Sequence, residues 1–491
     1  MNHLTKRFFK DSAIYSLGPI LTRGIQVILL PIYTRQLAKA EYGIYDILLI
    51  VQNLVNVTVA MEITQGFARY YSDAKTEDEK VLYSSTSFWF VIVMYSIFLV
   101  LSLLFSDSLS RLIVGQEYSP RIFQFAMVST FGSGLLLYLQ NQLRFYLKSK
   151  LFVLVGIAFT IVSSTSTILL LLVFKAGIMG VLTGLIIGYV VAIFLSWYFS
   201  RYNYKTVFNW EKLKEMLWFS IPLIPASIGT IVLNYIDRIA IRNLMSLDFE
   251  AVFGRAYSFA SMINIVLVGF QTALLPLIYQ SYKSSDTPKQ IEKIFRYFLV
   301  VSFSFVMALS IFSIEALKVF TTPAYFGATK VIPIISFATL FLSMQIFTPG
   351  LQIAKKTKTM ATINIIAAVV NTILCFVFIP FFGIIGAALA TLTSATLILI
   401  TNMYFSQKLF YIPHQWKRII PAFIFPAVFV LFIFSLGNFS GLGLFAKNII
   451  KAALWFVSAF IIVKILIGKD ELKEIIRQSK EILRVKLNSI F

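Results

Sequence analysis

The sequence predicts an all-α polytopic membrane protein of about fourteen transmembrane helices, built as two six-helix lobes in parallel pseudo-repeat plus two C-terminal helices, with both termini cytoplasmic. Three observations carry this. Of 491 residues, 58% are hydrophobic and only 13% charged, and the mean hydropathy is +0.82. The basic residues gather in alternate breaks between apolar runs, and the first half of the chain recurs in the second.

A helix needs about 20 apolar residues to cross the hydrocarbon core of a bilayer. Runs of that length fall near 12–33, 43–65, 84–105, 121–142, 151–174, 178–199, 217–239, 254–279, 294–316, 330–352, 360–379, 384–406, 417–437 and 447–467. Such a composition excludes an ordinary soluble domain. The single cysteine, Cys375, lies inside an apolar run, so no intramolecular disulfide forms. The basic start (Lys6, Arg7, Lys10) precedes a run that carries Arg23 and lacks a small-residue cleavage site, so it reads as a retained first helix.

A formal charge of +21 raises the question of nucleic-acid binding. The positions answer it. Of the 43 basic residues, 30 fall on one side when the breaks are alternated, among them Arg69, Lys148, Arg201, Lys289, Lys356, Lys408 and Lys469. That asymmetry is the positive-inside pattern of a membrane protein. It places both termini in the cytoplasm and makes the span count even.

The repeat is legible in short blocks. Lys148-Ser-Lys150, Gly177-Ile-Met-Gly180 and Tyr198-Phe-Ser200 recur as Lys356-Thr-Lys358, Gly383-Ile-Ile-Gly386 and Tyr404-Phe-Ser406, the last two at an offset of 206. Tyr15-Ser16 and Thr34-Arg35 match Phe219-Ser220 and Asp237-Arg238, and Gly43 to Tyr71 matches Gly254 to Tyr282, each 28 apart. The expected organisation is an N-terminal lobe at 1–200, a cytoplasmic linker at 201–216, a C-terminal lobe at 217–406, two added helices at 407–467 and an amphipathic tail at 468–491. A duplicated bundle suits a transporter, because one half rocking on the other exposes a central site to each face in turn.

Three stretches together resemble a known family. Arg35-Gln-Leu-Ala-Lys-Ala-Glu-Tyr-Gly-Ile-Tyr45 is similar to the R-x-L-x-x-x-x-Y-G-x-Y motif that opens the second helix of polysaccharide-biosynthesis flippases in the multidrug/oligosaccharidyl-lipid/polysaccharide superfamily. Asn234-Tyr-Ile-Asp237-Arg238 resembles their seventh-helix signature, and Pro380-Phe-Phe-Gly383-Ile-Ile-Gly386-Ala-Ala388 their P-x-x-G-x-x-G-A-A segment. The resemblance implies a Wzx-type flippase that moves an undecaprenyl-diphosphate-linked oligosaccharide to the outer leaflet of a bacterial cell or inner membrane. Its implied partners are that lipid-linked substrate, membrane lipids, a polysaccharide polymerase and a chain-length regulator, with no nucleic acid. One departure is Gly254-Arg255-Ala-Tyr257, where Arg255 is an extra arginine read as particular to this substrate.

A sugar headgroup crosses hydrocarbon only along a polar path. Arg23, deep in the first run, is a permanently charged fork suited to a diphosphate, the alternative being an ion pair with a neighbouring helix. Asp46, Asn53 and Asn56 share one face of the second helix, Asn264 and Gln271 one face of the eighth, and Asn364 and Asn371 one face of the eleventh. Each stripe reads either as sugar-lined cavity or as interhelical glue. Asp237 and Arg238, with Arg242 and Arg255 nearby, read either as an exit-side gate or as a self-satisfied surface cluster, the gate being slightly preferred, and Glu62 takes a coupling ion or pairs with Arg69, the pairing being preferred. Pro19 and Pro31 in the first helix, with Pro222 and Pro225 in the seventh, mark matched breaks where moving helices meet a site.

Both histidines, His3 and His414, sit at cytoplasmic edges, and no metal-ligand, phosphate-loop or nucleophile-elbow pattern occurs. The expectation is a non-enzyme without a cofactor, with H⁺ or Na⁺ coupling open. A cation-coupled small-molecule antiporter of the same superfamily is the alternative; a membrane polymerase fits less well, because the outer loops are short.

Overall fold

The computed structural model describes residues 29–115, 119–146, 148–264, 286–354, 356–435 and 444–468, with isolated positions 25, 266, 267, 270, 274, 284 and 471. Among them every regular element is helical. Among the described residues, nine helices are long and apolar enough to cross a membrane: α3 (Glu77–Leu104), α5 (Pro120–Phe145), α6 (Ser149–Leu172), α7 (Gly177–Ser200), α11 (Thr287–Ile311), α14 (Thr357–Phe382), α15 (Ile384–Leu409), α16 (Trp416–Ser435) and α17 (Leu444–Leu466). The protein is thus a multi-pass membrane protein.

Three further helix pairs, each bent at a short break, are long and apolar enough only when taken together, as a broken span or a re-entrant segment. α1 (Lys39–Thr58) meets α2 (Ile63–Asp73) at 43°, α8 (Trp210–Ser220) meets α9 (Ile224–Leu244) at 41°, and the turn Pro323–Lys330 meets α13 (Ile332–Ser343) at 58°. The expected first run, 12–33, lies largely outside the described residues, whereas the expected eighth, 254–279, is described through residue 264 and at a few positions beyond, starting within α10 (Leu247–Ala260). A short helix, α4 (Ser106–Ile113), follows α3, and α12 (Ser313–Phe320) follows α11.

The helices start where local chemistry satisfies their free N–H groups. Thr76 caps α3 by accepting from the Glu79 N–H at 3.2 Å, with Glu77, Asp78 and Glu79 all in the first turn. Ser119 and Pro120 open α5, and Asn209 caps α8 through the Lys212 N–H at 3.0 Å. Inside the spans, hydroxyls are returned to the helix itself. Thr130, Thr160, Ser310, Thr339, Thr372 and Ser394 each donate to the carbonyl four residues back, which keeps a polar group satisfied where water is absent.

Two compact units emerge, drawn differently from the repeat boundaries. The first comprises residues up to 255 with 318–326 and 361–394; the second comprises 256–317, 327–360 and 395 onward. In the first unit, Gly180, Gly184 and Gly188 line one face of α7, and α6 lies against them so closely that Gly184 faces Thr167 and Gly188 faces Ser163. The repeated Gly-Ile-x-Gly blocks do the same job twice. Gly177 and Gly383 both have positive φ, 54° and 57°, letting each hairpin turn sharply into its next helix.

In the second unit, Phe295, Phe298 and Phe347 pack as a buried aromatic knot with centroids 5.0 Å apart for both pairs involving Phe347. Arg296, buried in α11, holds Glu292 at 2.7 Å, Glu471 at 2.7 Å and the Leu466 carbonyl at 2.8 Å, and so ties the end of α17 to α11. Lys451 pairs with Glu315 at 2.8 Å and fixes α12 against α17. A cavity of 710 Å³ lined mainly by apolar side chains such as Phe341, Met403, Ile420 and Phe423, with Gln407 and Lys408 among its few polar ones, is predominantly apolar.

Candidate functional site

Polar and charged side chains converge at one end of the first unit. α1 starts there, α9 ends there and α10 departs from it. Two glycines make the meeting possible: a side chain at Gly43 would strike the Leu247 carbonyl, and one at Gly254 would strike the Asp46 carboxylate. These are the glycines that the repeat matched in sequence, and here they face each other's helix.

Across this crossing Arg255 donates to Asp46, 3.2 Å to one carboxylate oxygen and 3.5 Å to the other, with both side chains buried. The guanidinium also lies over the Tyr42 ring, 3.6 Å from its centroid. Tyr42 in turn meets Tyr325 edge-on, with centroids 6.4 Å apart. Close by, the Thr34 hydroxyl donates to the Phe320 carbonyl at 3.0 Å and Arg35 reaches the Val319 carbonyl at 3.2 Å. A buried pair of this kind adds little net stability, yet removing one partner leaves a costly bare charge.

Asp237 is fully buried in α9 and accepts from the Arg238 N–H at 2.8 Å and the Thr391 hydroxyl at 3.2 Å. Arg238 is buried too, its guanidinium 5.4 Å from the Tyr235 ring centroid. Asn371 donates to the Leu233 carbonyl at 3.4 Å, so α14 contacts the same stretch of α9.

The α1 stripe divides. Asp46 belongs to the pair just described. Asn53 donates to the Leu49 carbonyl at 2.8 Å and to the Tyr235 hydroxyl at 3.3 Å. Asn56 donates to Ser133 at 3.2 Å and accepts from Tyr95 at 3.1 Å, while Gln52 donates to Ser133 at 2.9 Å, which knits α1 to α3 and α5. Asn264, in the second unit, accepts from Ser343 at 3.4 Å. The Asn364 side-chain oxygen is buried with no hydrogen-bond partner among the described residues. Arg23, Gln271 and Pro19 lie outside the described residues.

Glu62 is placed differently from the preferred reading. Arg69 bonds Asp73 at 3.3 Å, both exposed, and Glu62 instead accepts from the Ser227 hydroxyl at 2.6 Å. The reason is the bend in the second span. Met61 and Glu62 have φ of 48° and 51°, an uncommon conformation for non-glycine residues, and this turns Glu62 away from the α2 face that carries Arg69. Ser220 donates to the Met61 carbonyl at 2.8 Å, so the bend of the second span docks on the bend of the seventh.

Sequence reasoning missed Tyr42, Glu250, Tyr325 and Thr391. Glu250 is fully buried in α10 beside the Asp46–Arg255 pair. Its only sequence signal is its place one turn before Gly254, next to a helix crossing that sequence alone does not reveal.

The chain is similar to several known proteins. Residues 8–282 match the family model described as polysaccharide biosynthesis protein. The chain is 28% identical over 277 residues to the capsular polysaccharide biosynthesis protein CapF of Staphylococcus aureus, covering 54% of this chain and 70% of that one. It is 24% identical over 392 residues to a Shigella flexneri protein named "Putative O-antigen transporter", covering 77% and 89%. It spans 61% of the length of an uncharacterised membrane protein of Methanocaldococcus jannaschii, at 23% identity over 313 residues. The structure of lipid II flippase MurJ in its inward closed conformation superposes with a TM-score of 0.71 over 92% of this chain and 98% of that one, at 17% identity, and so shares the fold. The chain belongs to the polysaccharide biosynthesis protein family.

Proposed function

We propose that the protein is a flippase that carries undecaprenyl-diphosphate-linked oligosaccharide units from the cytoplasmic to the outer leaflet of a bacterial cell membrane by alternating access, for surface polysaccharide assembly. The observation that carries this reading is the Asp46–Arg255 pair, a buried charged clasp between helices of the two sequence repeats in a chain of this family. A buried ion pair across a helix crossing is lost when the helices part and water enters, so the clasp suits a gate that shuts one side of the path.

In this reading Asp46, Arg255, Asp237 and Arg238 hold the outer side closed, with Tyr42 and Tyr325 sealing it. Arg23 takes the diphosphate, and Asn53, Asn264, Gln271 and Asn364 meet sugar hydroxyls. Asn56 serves as packing glue instead, its amide being spent on Ser133 and Tyr95. Glu62 positions the paired bends of the second and seventh spans. An inside-negative potential favours outward movement of an anion by about 2.3 kcal/mol per charge per 100 mV, so export needs no ATP site if charge moves uncompensated. A polymerase and a chain-length regulator stand downstream as partners.

The test is reconstitution of the full chain into vesicles loaded with lipid-linked oligosaccharide on one leaflet, scored with a membrane-impermeant glycosidase. Protein-dependent loss of protection supports the flippase. No change, combined with ion-driven efflux of small cations, moves the reading to an antiporter.

A further inference from the structure

The cluster around Asp46 holds one more carboxylate than its geometry satisfies. Asp46 has Arg255, and Asp237 has the Arg238 N–H and Thr391. Glu250 has no such donor. Its side chain is fully buried, and neither carboxylate oxygen has a hydrogen-bond partner among the described residues.

Its surroundings explain why. One oxygen lies 3.1 Å from where a side chain at Gly43 would begin and the other 3.6 Å from the same point at Gly254, so both face bare glycine. From α1 the charged and titratable neighbours are Asp46, already bonded, and Tyr42, already under the Arg255 guanidinium. From α9 they are Asp237, Arg238 and Arg242, the last only half-buried and pointing at the Leu112 carbonyl 3.5 Å away on the exposed side. Its own helix adds Arg255 and the exposed Asp248, and the Pro323–Lys330 turn adds Tyr325. Arg255 is committed to Asp46 by a direct ion pair, while Arg238 acts through space on both Asp237 and Glu250 and gives Glu250 no hydrogen bond. An ionised Glu250 would be a further buried negative charge with no hydrogen bond to stabilise it.

We propose that Glu250 is a proton-binding residue of this clasp: it holds a proton while the α1–α10 crossing is shut and releases it to external water when the crossing opens. This rests on the alternating-access reading above and deepens it by making closure cost one proton. The carboxyl O–H bond breaks on opening, the proton passes to water and the carboxylate is hydrated; closing reverses each step. The closed state binds one more proton than the open one, so acidification of the outer side favours closure. The ratio of closed to open changes by up to about tenfold per pH unit within the titrating window.

Two measurements on the full chain decide it. Infrared difference spectra of the protein in lipid nanodiscs, titrated to alkaline pH, should lose a protonated-carboxyl band that is absent in E250Q, shifted in E250D and retained in Asp237→Asn. Spin labels at Gln36→Cys, exposed just before α1, and Phe249→Cys, exposed on α10, in a Cys375→Ser background report the distance across the crossing. The short-distance population should fall with rising pH in the parent and stay high and pH-independent in E250Q. The same carboxyl band in E250Q, or an unaltered pH response of the distance in that variant, overturns the proposal. Failure of the vesicle assay at every pH would instead sink the flippase reading and leave the infrared result standing on its own.

Discussion

Arg255 reaches the carboxylate of Asp46 across 3.2 Å, and each residue belongs to a helix that the sequence assigns to a different repeat. Both side chains are nearly fully buried, so bulk solvent does not screen the pair. That makes it conditional. It is satisfied only while the helices cross as they do here.

Breaking one side of this pair should therefore cost far more than removing both. Asp46→Asn or Arg255→Met alone is expected to destabilise the closed arrangement by about 3–5 kcal/mol, whereas the double variant Asp46→Leu/Arg255→Met should fall within about 1–2 kcal/mol of the parent. Thermal unfolding of the purified protein in detergent checks this. Single and double variants of equal stability would show that the pair is not coupled.

The crossing should be equally sensitive to volume. Gly254→Val places a side chain against the Asp46 carboxylate and Gly43→Val places one against the Leu247 carbonyl backbone. Each is expected to hold the crossing open, at about 1–3 kcal/mol of overpacking. Reaction of Tyr325→Cys with a membrane-impermeant thiol reagent in a Cys375→Ser background should rise severalfold in both. Unchanged labelling would mean the helices accommodate the side chain without parting.

His414 gives the second unit an acid-sensitive point outside the spans. Its ring packs on Phe295 and Trp416 at 5.0 and 5.4 Å, neither ring nitrogen has a partner among the described residues, and burial pushes it down to about 4. The folded protein holds it neutral while the unfolded chain protonates it near its ordinary value. The associated stability is present above about pH 6.5 and is lost as pH falls toward about 4, on the order of 3 kcal/mol in all. His414→Phe should flatten the fall in melting temperature between about pH 7 and about pH 4.5. An equally steep fall in that variant would assign the acid sensitivity elsewhere.

If Arg23 holds the diphosphate, Arg23→Ala should abolish flipping of lipid-linked oligosaccharide in vesicles while leaving insertion and melting temperature unchanged. Arg23→Lys should retain part of the activity, because a point charge still attracts the anion but loses the two-pronged geometry. Full activity of the alanine variant would remove the anion site from the first span.

Several features are legible in the linear sequence. Apolar run lengths locate α3, α5 to α7, α11 and α14 to α17, because a bilayer demands a spanning length of apolar helix whatever its neighbours are. The repeated Gly-Ile-x-Gly blocks mark two hairpin turns, since the positive φ at Gly177 and Gly383 is a local requirement. Asp237, Arg238 and Arg255 stand out because charges are expensive in apolar runs. The bend at Met61 and Glu62 is not legible in this way. No proline or glycine marks it, and it is held by Ser220 of α8 and Ser227 of α9, more than a hundred residues away in the chain.

The membrane class, the duplication and the family motifs follow from the order of residues alone, because all three depend on local composition and spacing along the chain. Which polar groups spend their hydrogen bonds on each other is settled by how the helices pack. Packing takes Asp46 out of the expected sugar-binding stripe and gives it to Arg255, gives Asn56 to Ser133 and Tyr95, and leaves Glu250 with none. The physical reason is that a buried polar group is satisfied or stranded by whatever crosses it in space, and helix periodicity says which face a residue occupies but not what that face meets.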